Sequence, residues 1–471
     1  MTEEVREPPT ITAFGSVRTV DTVNSGHYRL SRKTSLHYQD IKIKIKSTRN
    51  KLFKHDQNQQ IISTTTPVNS PPPPEDSSAA KAISVPKVSI NPPKVNEKGD
   101  NVIILGSTGL TGSQVLKGCM APWTSGVLYD LKLTKNIWCF NRRLKTVDFS
   151  ISKLPPTWTA VVNYGGEPHI IRKYDLKIKQ HITEIGKLDG LEFQWDQFDW
   201  ELKLPTDEVK NVTVNVFQII QNDSKKWDKT FSELFTGNRK PLNDRIEVYL
   251  PSIDQVETLI STLGSSSWES RKMKTPRSFV DYTLNMDMAK VFAPDQKKSL
   301  IKHMVIVTSF NNLALGVLSP YFRTKQKLEN DLTYDVPGLT HLTILRPGPL
   351  IGQHGKQIIL APQLPVGSGV LYKCYAWKRS LLKAKLHWLS QVKDVGPSKK
   401  VTELIAKATY HLPGNWIVGY SIPSSKVARI AAKEAMTKRN LARNDSDALV
   451  VEVTLWSSQE MDRALSGSVA L

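Results

Sequence analysis

The sequence predicts an α/β fold in which a doubly wound, mostly parallel sheet is covered by helices on both faces. From residue 101 onward, short continuous apolar runs alternate with segments of helical pattern, and strands buried on both faces have this appearance. The first run, "NVIIL" (101–105), leads into three glycines spaced three apart and then into a helical segment. Such a turn is typical of the first strand-to-helix connection in doubly wound folds.

The elements of this core follow one another along the chain. The predicted strands cover 101–105, 136–141, 211–220, 256–264, 304–309 and 339–348. Two long helical patterns lie among them, at 277–292 and 319–332. We therefore expect one dinucleotide-binding domain over residues 99–443, followed by a C-terminal tail at 444–471.

Two segments do not follow this alternation of strands and helices. Residues 1–98 are predicted to be a disordered basic, Pro-rich arm, because stretches such as "TTTPVNSPPPPEDSS" (64–78) are polar and favour extended geometry. The interval of about 150–210 is predicted to be an insertion between the second and third strands. Its aromatic stretch 191–204 either packs onto the core or binds a protein partner.

The chain has 471 residues and a net charge of +20, concentrated in two places. Residues 29–54 carry nine Lys and Arg against one acidic residue, and residues 366–443 carry fifteen against three. Such an excess suits an anionic membrane or ligand, whereas nucleic acid is not expected because no nucleic-acid-binding fold accompanies it. Three scattered cysteines are too few for a disulfide framework or a zinc site.

The glycines of the turn are Gly106, Gly109 and Gly112. The first permits the tight turn, the second lets a phosphate approach the backbone, and the third lets the helix lie close to the sheet. A helix N-terminus offers N–H groups and a positive dipole end to a pyrophosphate. We therefore predict a dinucleotide site whose cofactor-binding residues are these glycines with Thr108, Leu110 and Thr111.

The second strand identifies the expected nucleotide. An NAD site usually has an acidic residue after this strand, but here the strand ends "CFNRRLK". Because a guanidinium suits a 2′-phosphate, Arg142 and Arg143 favour NADP(H) over NAD. The alternative is that one or both arginines are solvated surface residues.

A candidate catalytic pair follows the fifth strand. Tyr321 and Lys325 in "YFRTK" are four apart, so that a helix places them on one face. A nearby ammonium favours the phenolate form of a tyrosine, so Tyr321 can act as the proton donor with Lys325 lowering its pKa. Lys325 is also predicted to bind the cofactor, by holding the nicotinamide ribose. Ser309, at the end of the preceding strand, is predicted to bind the substrate oxygen, with Thr308 as the alternative.

The segments "LGSTGLTG", "NRR", "YFRTK" and "ILRPGPLIG", in this order, resemble an atypical short-chain dehydrogenase of the Rossmann type. More specifically, they resemble the yeast "found in mitochondrial proteome" family of the mitochondrial outer membrane, and more distantly the animal Tat-interacting oxidoreductase. The resemblance covers roughly residues 100–160 and 211–440. It implies that Ser265 and Ser266 line the nicotinamide side, that "RPGP" (346–349) shapes the substrate loop, and that the protein lies on the cytosolic face of that membrane.

The basic segment 375–392 has an apolar stripe at helical spacing, formed by Trp377, Leu381, Trp388 and Val392. This stripe either packs in the core of the domain or lies on an anionic membrane. The sequence as a whole predicts an NADP-dependent oxidoreductase with peripheral membrane association and an unidentified small-molecule substrate. The alternative function is an NADP-binding scaffold without turnover.

Overall fold

The computed structural model describes residues 26–30, 99–121, 134–147, 149, 151–153, 156, 159–164, 167–264, 275–294, 300–310, 320–353, 385, 388–392, 397–410, 419–437 and 451–466. All of them belong to one compact unit, made of residues 1–32 and 93–471. The second unit, residues 33–92, lies outside the described residues, as do most of the predicted arm and the loop that contains Ser265 and Ser266.

Sixteen strands occur in the described part of the chain. They are β1 Gly26–Leu30, β2 Gly99–Leu105, β3 Thr134–Asn141, β4 Thr159–Tyr164, β5 Glu167–Arg172, β6 Leu176–Leu188, β7 Leu191–Lys203, β8 Val209–Ile220, β9 Arg239–Pro241, β10 Glu247–Tyr249, β11 Thr258–Ser261, β12 His303–Val307, β13 His341–Arg346, β14 Leu350–Ile351, β15 Ile422–Pro423 and β16 Val451–Ser457.

Ten of these strands form the central sheet, in the order β1-β16-β13-β12-β11-β2-β3-β8-β7-β6. The seven from β16 to β8 are parallel to one another, whereas β1, β7 and β6 run antiparallel to their neighbours. The order reverses between β2 and β11, and this topological switch point is where doubly wound sheets bind ligands. The predicted doubly wound Rossmann-type fold is therefore confirmed.

Seven α-helices are described: α1 Leu110–Met120, α2 Trp227–Leu234, α3 Leu284–Phe292, α4 Pro320–Tyr334, α5 Pro397–Tyr410, α6 Ser424–Met436 and α7 Ser458–Ser466. A π-helical turn, Phe279–Thr283, leads into α3. Buried side chains from α2, α3 and α4 pack on one face of the sheet, and those from α1, α6 and α7 pack on the other. None of the described helices is both long and apolar enough to cross a membrane.

The segment predicted as an insertion contributes strands to the central sheet. The hairpin of β6 and β7 pairs antiparallel with β8 and extends the sheet beyond its parallel part. Because successive side chains of a strand point to opposite faces, the four aromatic residues of β7 enter both cores. Phe193 and Trp195 pack on the face of α2, while Phe198 and Trp200 pack on the face of α1.

The chain beyond residue 443 is part of the domain, where the sequence predicted a tail. Strand β16 is parallel to β13 over six residue pairs and lies inside the sheet, and α7 follows it directly. Its other edge pairs with β1, which comes from the predicted disordered arm. Neither strand was predicted from local sequence, because both are stabilised by pairing with strands that are distant in sequence.

Candidate active site

The glycine turn has a backbone that its first glycine makes possible. Gly106 directly follows β2 and has φ +79°, a left-handed conformation that residues with a side chain rarely adopt. Its N–H donates to the carbonyl oxygen of Phe140 on β3 at 3.0 Å. The turn is thus attached to both strands at the switch-point side of the sheet.

The third glycine permits a close approach of helix α1 to the turn. A Cβ atom on Gly112 would lie 2.1 Å from the carbonyl oxygen of Gly106 and 2.6 Å from Oγ1 of Thr262. The Thr262 hydroxyl itself donates to the carbonyl oxygens of Leu105, at 2.9 Å, and Gly106, at 3.2 Å. Only glycine fits at position 112, and Thr262 fastens the turn to the segment after β11.

The second glycine lies at the N-terminus of α1. Gly109 is exposed, and its N–H donates to the carbonyl oxygen of Gly106 at 3.1 Å. It is the N-cap residue of α1, and no side chain makes a cap hydrogen bond there. Thr108 and Leu110 beside it are half-buried, whereas Thr111 is buried. The predicted phosphate-binding residues therefore surround a helix N-terminus, where backbone N–H groups and the helix dipole favour an anion.

The two predicted arginines stand beside this turn. Ser107 and Asn141 join the turn to the end of β3 through side-chain hydrogen bonds of 2.9 and 3.1 Å. Arg142, half-buried, and Arg143, exposed, follow Asn141 directly. The structure thus brings the arginines to the side of the turn that β3 occupies.

Two further cations near Arg143 were missed by sequence reasoning. Desolvation by burial, and then repulsion by Lys117 and Arg143, lower the pKa of Lys145. Lys117 lies in the last turn of α1 and Lys145 in the segment after β3. The charges of Lys117 and Arg143 are thus close enough to Lys145 to interact with it, and the segment after β3 carries a group of cations. In the sequence, the run "RRLK" (142–145) indicated that Lys145 lies near the arginines, whereas no pattern indicated this for Lys117.

Lys325 of α4 is placed on the other side of the turn, beside the segment after β11. Its side chain is buried, and its Nζ lies 3.5 Å from the carbonyl oxygen of Leu263. The side chain of Leu263 in turn lies close to Gly106, since a Cβ built there would be 3.1 Å from its Cδ2. Lys325 therefore approaches the glycine turn at the point where the strand order reverses.

An unpredicted carboxylate accompanies this lysine. Asp281, in the π-helical turn before α3, has a side chain 2% exposed, and its Oδ1 lies 3.2 Å from Nζ of Lys325. Its Oδ2 accepts a hydrogen bond from Nε of Arg277 at 2.9 Å. The sequence did not predict the ion pair of Asp281 with Lys325, because the two residues lie on different helices.

Tyr321 lies one turn before Lys325 at the start of α4 and is half-buried. The guanidinium carbon of Arg277 is 4.0 Å from the centre of its ring, in a cation–π contact. The ring of Phe322 meets the Tyr321 ring edge-on at 5.2 Å. The predicted pair therefore shares one helix, and Arg277 and Asp281 connect its two members.

The two candidate hydroxyls after β12 have different surroundings. Thr308 donates to Oε1 of Glu329 at 2.6 Å, and the same carboxylate accepts from Arg346 at 2.7 Å. Oγ of Ser309 is buried and has no hydrogen-bond partner among the described residues. Thr308 is thus engaged within the core, whereas the Ser309 hydroxyl has no such partner among the described residues.

The "RPGP" loop is fixed against a neighbouring segment. A Cβ on Gly348 would lie 2.2 Å from the carbonyl oxygen of Tyr420. The N–H of Gly348 donates to Oγ of Ser458 at 2.6 Å, and the N–H of Ile422 donates to the carbonyl oxygen of Pro349 at 3.1 Å. The loop lies after β13, at the same carboxyl edge of the sheet as the other candidate residues.

Comparison with known proteins relates the chain to HIM1. The family model described as HIM1 matches residues 216–381. Protein HIM1 of Saccharomyces cerevisiae is 30% identical over 401 residues, which cover 74% of this chain and 94% of the yeast protein. The name of the relative states no activity. The predicted resemblance to a mitochondrial outer-membrane family remains a prediction.

Solved structures that align with this chain include a short-chain dehydrogenase and a short-chain dehydrogenase/reductase family oxidoreductase. A short-chain dehydrogenase from Streptomyces avermitilis is 10% identical, with a TM-score of 0.29, over 70% of this chain and 88% of that one. A short-chain dehydrogenase/reductase family oxidoreductase from Burkholderia thailandensis is 10% identical, with a TM-score of 0.30, over 79% and 97% of the two chains.

Proposed function

The chain belongs to the HIM1 family, and from its own geometry we propose that it is an NADP-dependent oxidoreductase of the short-chain dehydrogenase type. The observation that carries the proposal is the meeting of two groups of residues at the switch point. The glycine turn at the end of β2 is shaped for phosphate, and Lys325 with Tyr321 approaches it from α4. A purely structural turn does not require a polar pair at this place.

The residues present fit a nicotinamide dinucleotide. The space beside Gly112 is closed to any Cβ, which allows the turn to be tight enough for the N-terminus of α1 to meet a pyrophosphate. Arg142 and Arg143, with Lys145 near them, would hold a 2′-phosphate. When bound, the cofactor supplies hydride transfer to or from a carbon atom.

The remaining chemistry belongs to side chains of this protein. Tyr321 donates a proton to the oxygen of a carbonyl substrate and accepts one from an alcohol in the reverse direction. Ser309, whose buried Oγ has no partner among the described residues, donates a hydrogen bond to the same oxygen. Lys325 supplies the positive charge behind the phenol, in a position fixed by Asp281.

Tyr321→Phe tests this assignment. The variant removes the proton donor and keeps the ring, so we expect unchanged NADPH affinity and loss of NADPH-dependent carbonyl reduction. NADPH oxidation is measured by absorbance against a panel of aldehydes and ketones, with Tyr334→Phe, at the far end of the same helix, as the matched control. Full activity of Tyr321→Phe on a substrate of the unmutated protein would refute the role of Tyr321.

A second candidate function is an NADP-binding scaffold without turnover. The buried pair of Lys325 and Asp281 favours it, because the carboxylate neutralises the ammonium on which the phenol would depend. The two functions differ in one outcome: a scaffold binds NADPH with the same affinity in the presence of every carbonyl compound and oxidises none of it.

We also propose peripheral binding to the cytosolic face of the mitochondrial outer membrane, which rests on the sequence resemblance and on the basic arm 29–54. The other basic segment, 375–392, lies largely outside the described residues. Of the two stripe residues that the structure describes, Val392 is buried beside Leu389, whereas Trp388 is 39% exposed. Co-sedimentation with anionic vesicles at low and high salt, with and without the arm, tests the proposal.

A further inference from the structure

Arg277 is held in one orientation beside the proposed proton donor. Its guanidinium carbon lies 4.0 Å from the centre of the Tyr321 ring, and its Nε donates to Oδ2 of Asp281 at 2.9 Å. An arginine with two such contacts has lost most of its rotamer freedom, so a ligand that meets it incurs little further ordering cost. The sequence predicted neither contact.

The binding edge of this guanidinium is accessible. The bond to Asp281 uses Nε, and no hydrogen bond joins the terminal amino groups of Arg277 to another described residue. The side chain is 40% exposed, in contrast to the 2% of the Asp281 side chain behind it. The terminal amino groups are a planar pair of donors, and such a pair matches carboxylate and phosphate oxygens.

The local charge also favours an anion. Asp281 is shared by two cations, Arg277 and Lys325, at 2.9 and 3.2 Å. These three side chains therefore carry one net positive charge next to the phenol of Tyr321. A negatively charged group at Arg277 would balance this charge in a partly desolvated site.

The position of Arg277 separates it from the expected phosphates of the cofactor. The sheet order places β11 and β12 on one side of β2, and β3 on the other. Arg142 and Arg143 follow β3. Arg277 lies just before the π-helical turn, which follows β11, and its guanidinium packs on the ring of Tyr321, which follows β12. Arg277 is therefore associated with the strands on one side of β2, and Arg142 and Arg143 with the strand on the other.

We propose that Arg277 binds a carboxylate or phosphate group of the substrate, which makes the substrate class an anionic carbonyl compound or the corresponding alcohol, such as a 2-oxo acid. This assignment rests on the proposed function, since it places the anion next to the oxygen on which Tyr321 acts. Asp281 acts as a positioning residue that orients Arg277 and Lys325 together.

The test measures anion binding to the full chain saturated with NADP⁺, so that cofactor phosphates fill their own site and no reduction occurs. Calorimetric titrations use 2-oxobutanoate, its methyl ester and inorganic phosphate. We expect 2-oxobutanoate or phosphate to bind and the ester to bind at least 10-fold more weakly. Arg277→Gln should weaken anion binding about 10-fold or more, because a charge-assisted hydrogen bond is lost.

Arg323→Gln is the matched control, because Arg323 is an exposed arginine on the same helix as Tyr321; it should leave anion binding unchanged. Arg277→Lys keeps the charge without the planar fork, and an intermediate affinity is expected; it replaces Arg277→Gln if thermal melts show that the latter is unfolded. Equal anion affinity in the wild type and both Arg277 variants, or no anion binding to the wild type, would overturn the proposal.

Two outcomes separate this proposal from the proposed function. If Arg277→Gln weakens NADP⁺ binding and leaves anion binding unchanged, Arg277 serves the cofactor and the proposal is wrong. If the wild type does not bind NADP⁺, the proposed function fails, and the same anion titrations on the cofactor-free protein still compare Arg277→Gln with Arg323→Gln. A difference between those two variants then upholds an anion site at Arg277, and equal affinities overturn it.

Discussion

Gly112→Ala should damage both the stability of the domain and its nucleotide site. The added Cβ would lie 2.1 Å from the carbonyl oxygen of Gly106, whereas unstrained non-bonded contacts with carbon lie near ~3.5 Å. The obstacle is backbone, which cannot rotate away like the end of a flexible side chain. Either α1 or the glycine turn must therefore move by about 1 Å or more.

The size of the effect follows from two contributions. Overpacking of a well-packed site costs about 1–3 kcal/mol. Movement of the turn also threatens the bifurcated hydrogen bond that the Thr262 hydroxyl donates to the carbonyl oxygens of Leu105 and Gly106, at 2.9 and 3.2 Å, which contributes about 0.5–1.5 kcal/mol. We expect the free energy of unfolding to fall by about 1.5–4.5 kcal/mol, measured by urea denaturation followed through tryptophan fluorescence.

Gly109→Ala provides the matched comparison at the neighbouring glycine. Gly109 has φ −72° and ψ 174°, which alanine adopts readily, and its Cβ would lie 3.4 Å from the carbonyl oxygen of Gly106. Its loss of stability should stay below about 1 kcal/mol, although the methyl group should still weaken nucleotide binding. If the free energies of unfolding of Gly112→Ala and Gly109→Ala differ by less than about 0.5 kcal/mol, which is roughly the measurement error, then helix α1 does not depend on glycine at position 112.

Two further predictions concern the sheet. Burial raises the pKa of the Asp196 carboxyl above its usual range, although hydrogen bonds from neutral side chains oppose this effect. The stability associated with protonated Asp196 is therefore present at low pH and is lost as pH rises through the pKa of the folded state. Asp196→Asn should therefore gain stability relative to the wild type between pH 4 and pH 7 in thermal melts, and a constant difference would contradict this. A chain that starts at Val95 lacks β1, so one edge of β16 has no partner strand. It should melt at a lower temperature and aggregate more than a chain that starts at Asp21, which keeps β1. Identical melting and aggregation of the two chains would show that β1 does not stabilise the sheet.

Much of the core could be predicted from local patterns. The parallel strands are buried on both faces and are therefore continuous apolar runs, and the glycine spacing identified the first turn without knowledge of its partners. The terminal strands β1 and β16 were missed for a physical reason. The alternating "VEVTLW" of β16 gains its place through pairing with β13, more than a hundred residues earlier, and local sequence does not encode that pairing.

Within the candidate site, contacts between helical residues were also predictable from sequence only where both residues lie on one helix. Tyr321 and Lys325 share a helix face, so their relation follows from helical geometry alone. The ion pair of Lys325 with Asp281 and the contact of Arg277 with Tyr321 join different helices. They depend on how these helices pack over the sheet, and no spacing rule predicts them. The sequence predicted Ser309, with Thr308 as the alternative, and the two differ in the structure because Thr308 donates to the buried Glu329.

The most direct test of the central claim is a fluorescence titration of the full chain with NADPH and NADH. The account predicts saturable binding of both, with NADPH preferred at least 10-fold, because hydrogen bonds to a charged 2′-phosphate are each worth about 1.5–3 kcal/mol. Replacing Arg142 and Arg143 together by Glu should abolish that preference and leave NADH affinity largely unchanged. Equal affinity for the two nucleotides in the unmutated protein would contradict NADP specificity, and binding of neither would contradict the nucleotide site itself.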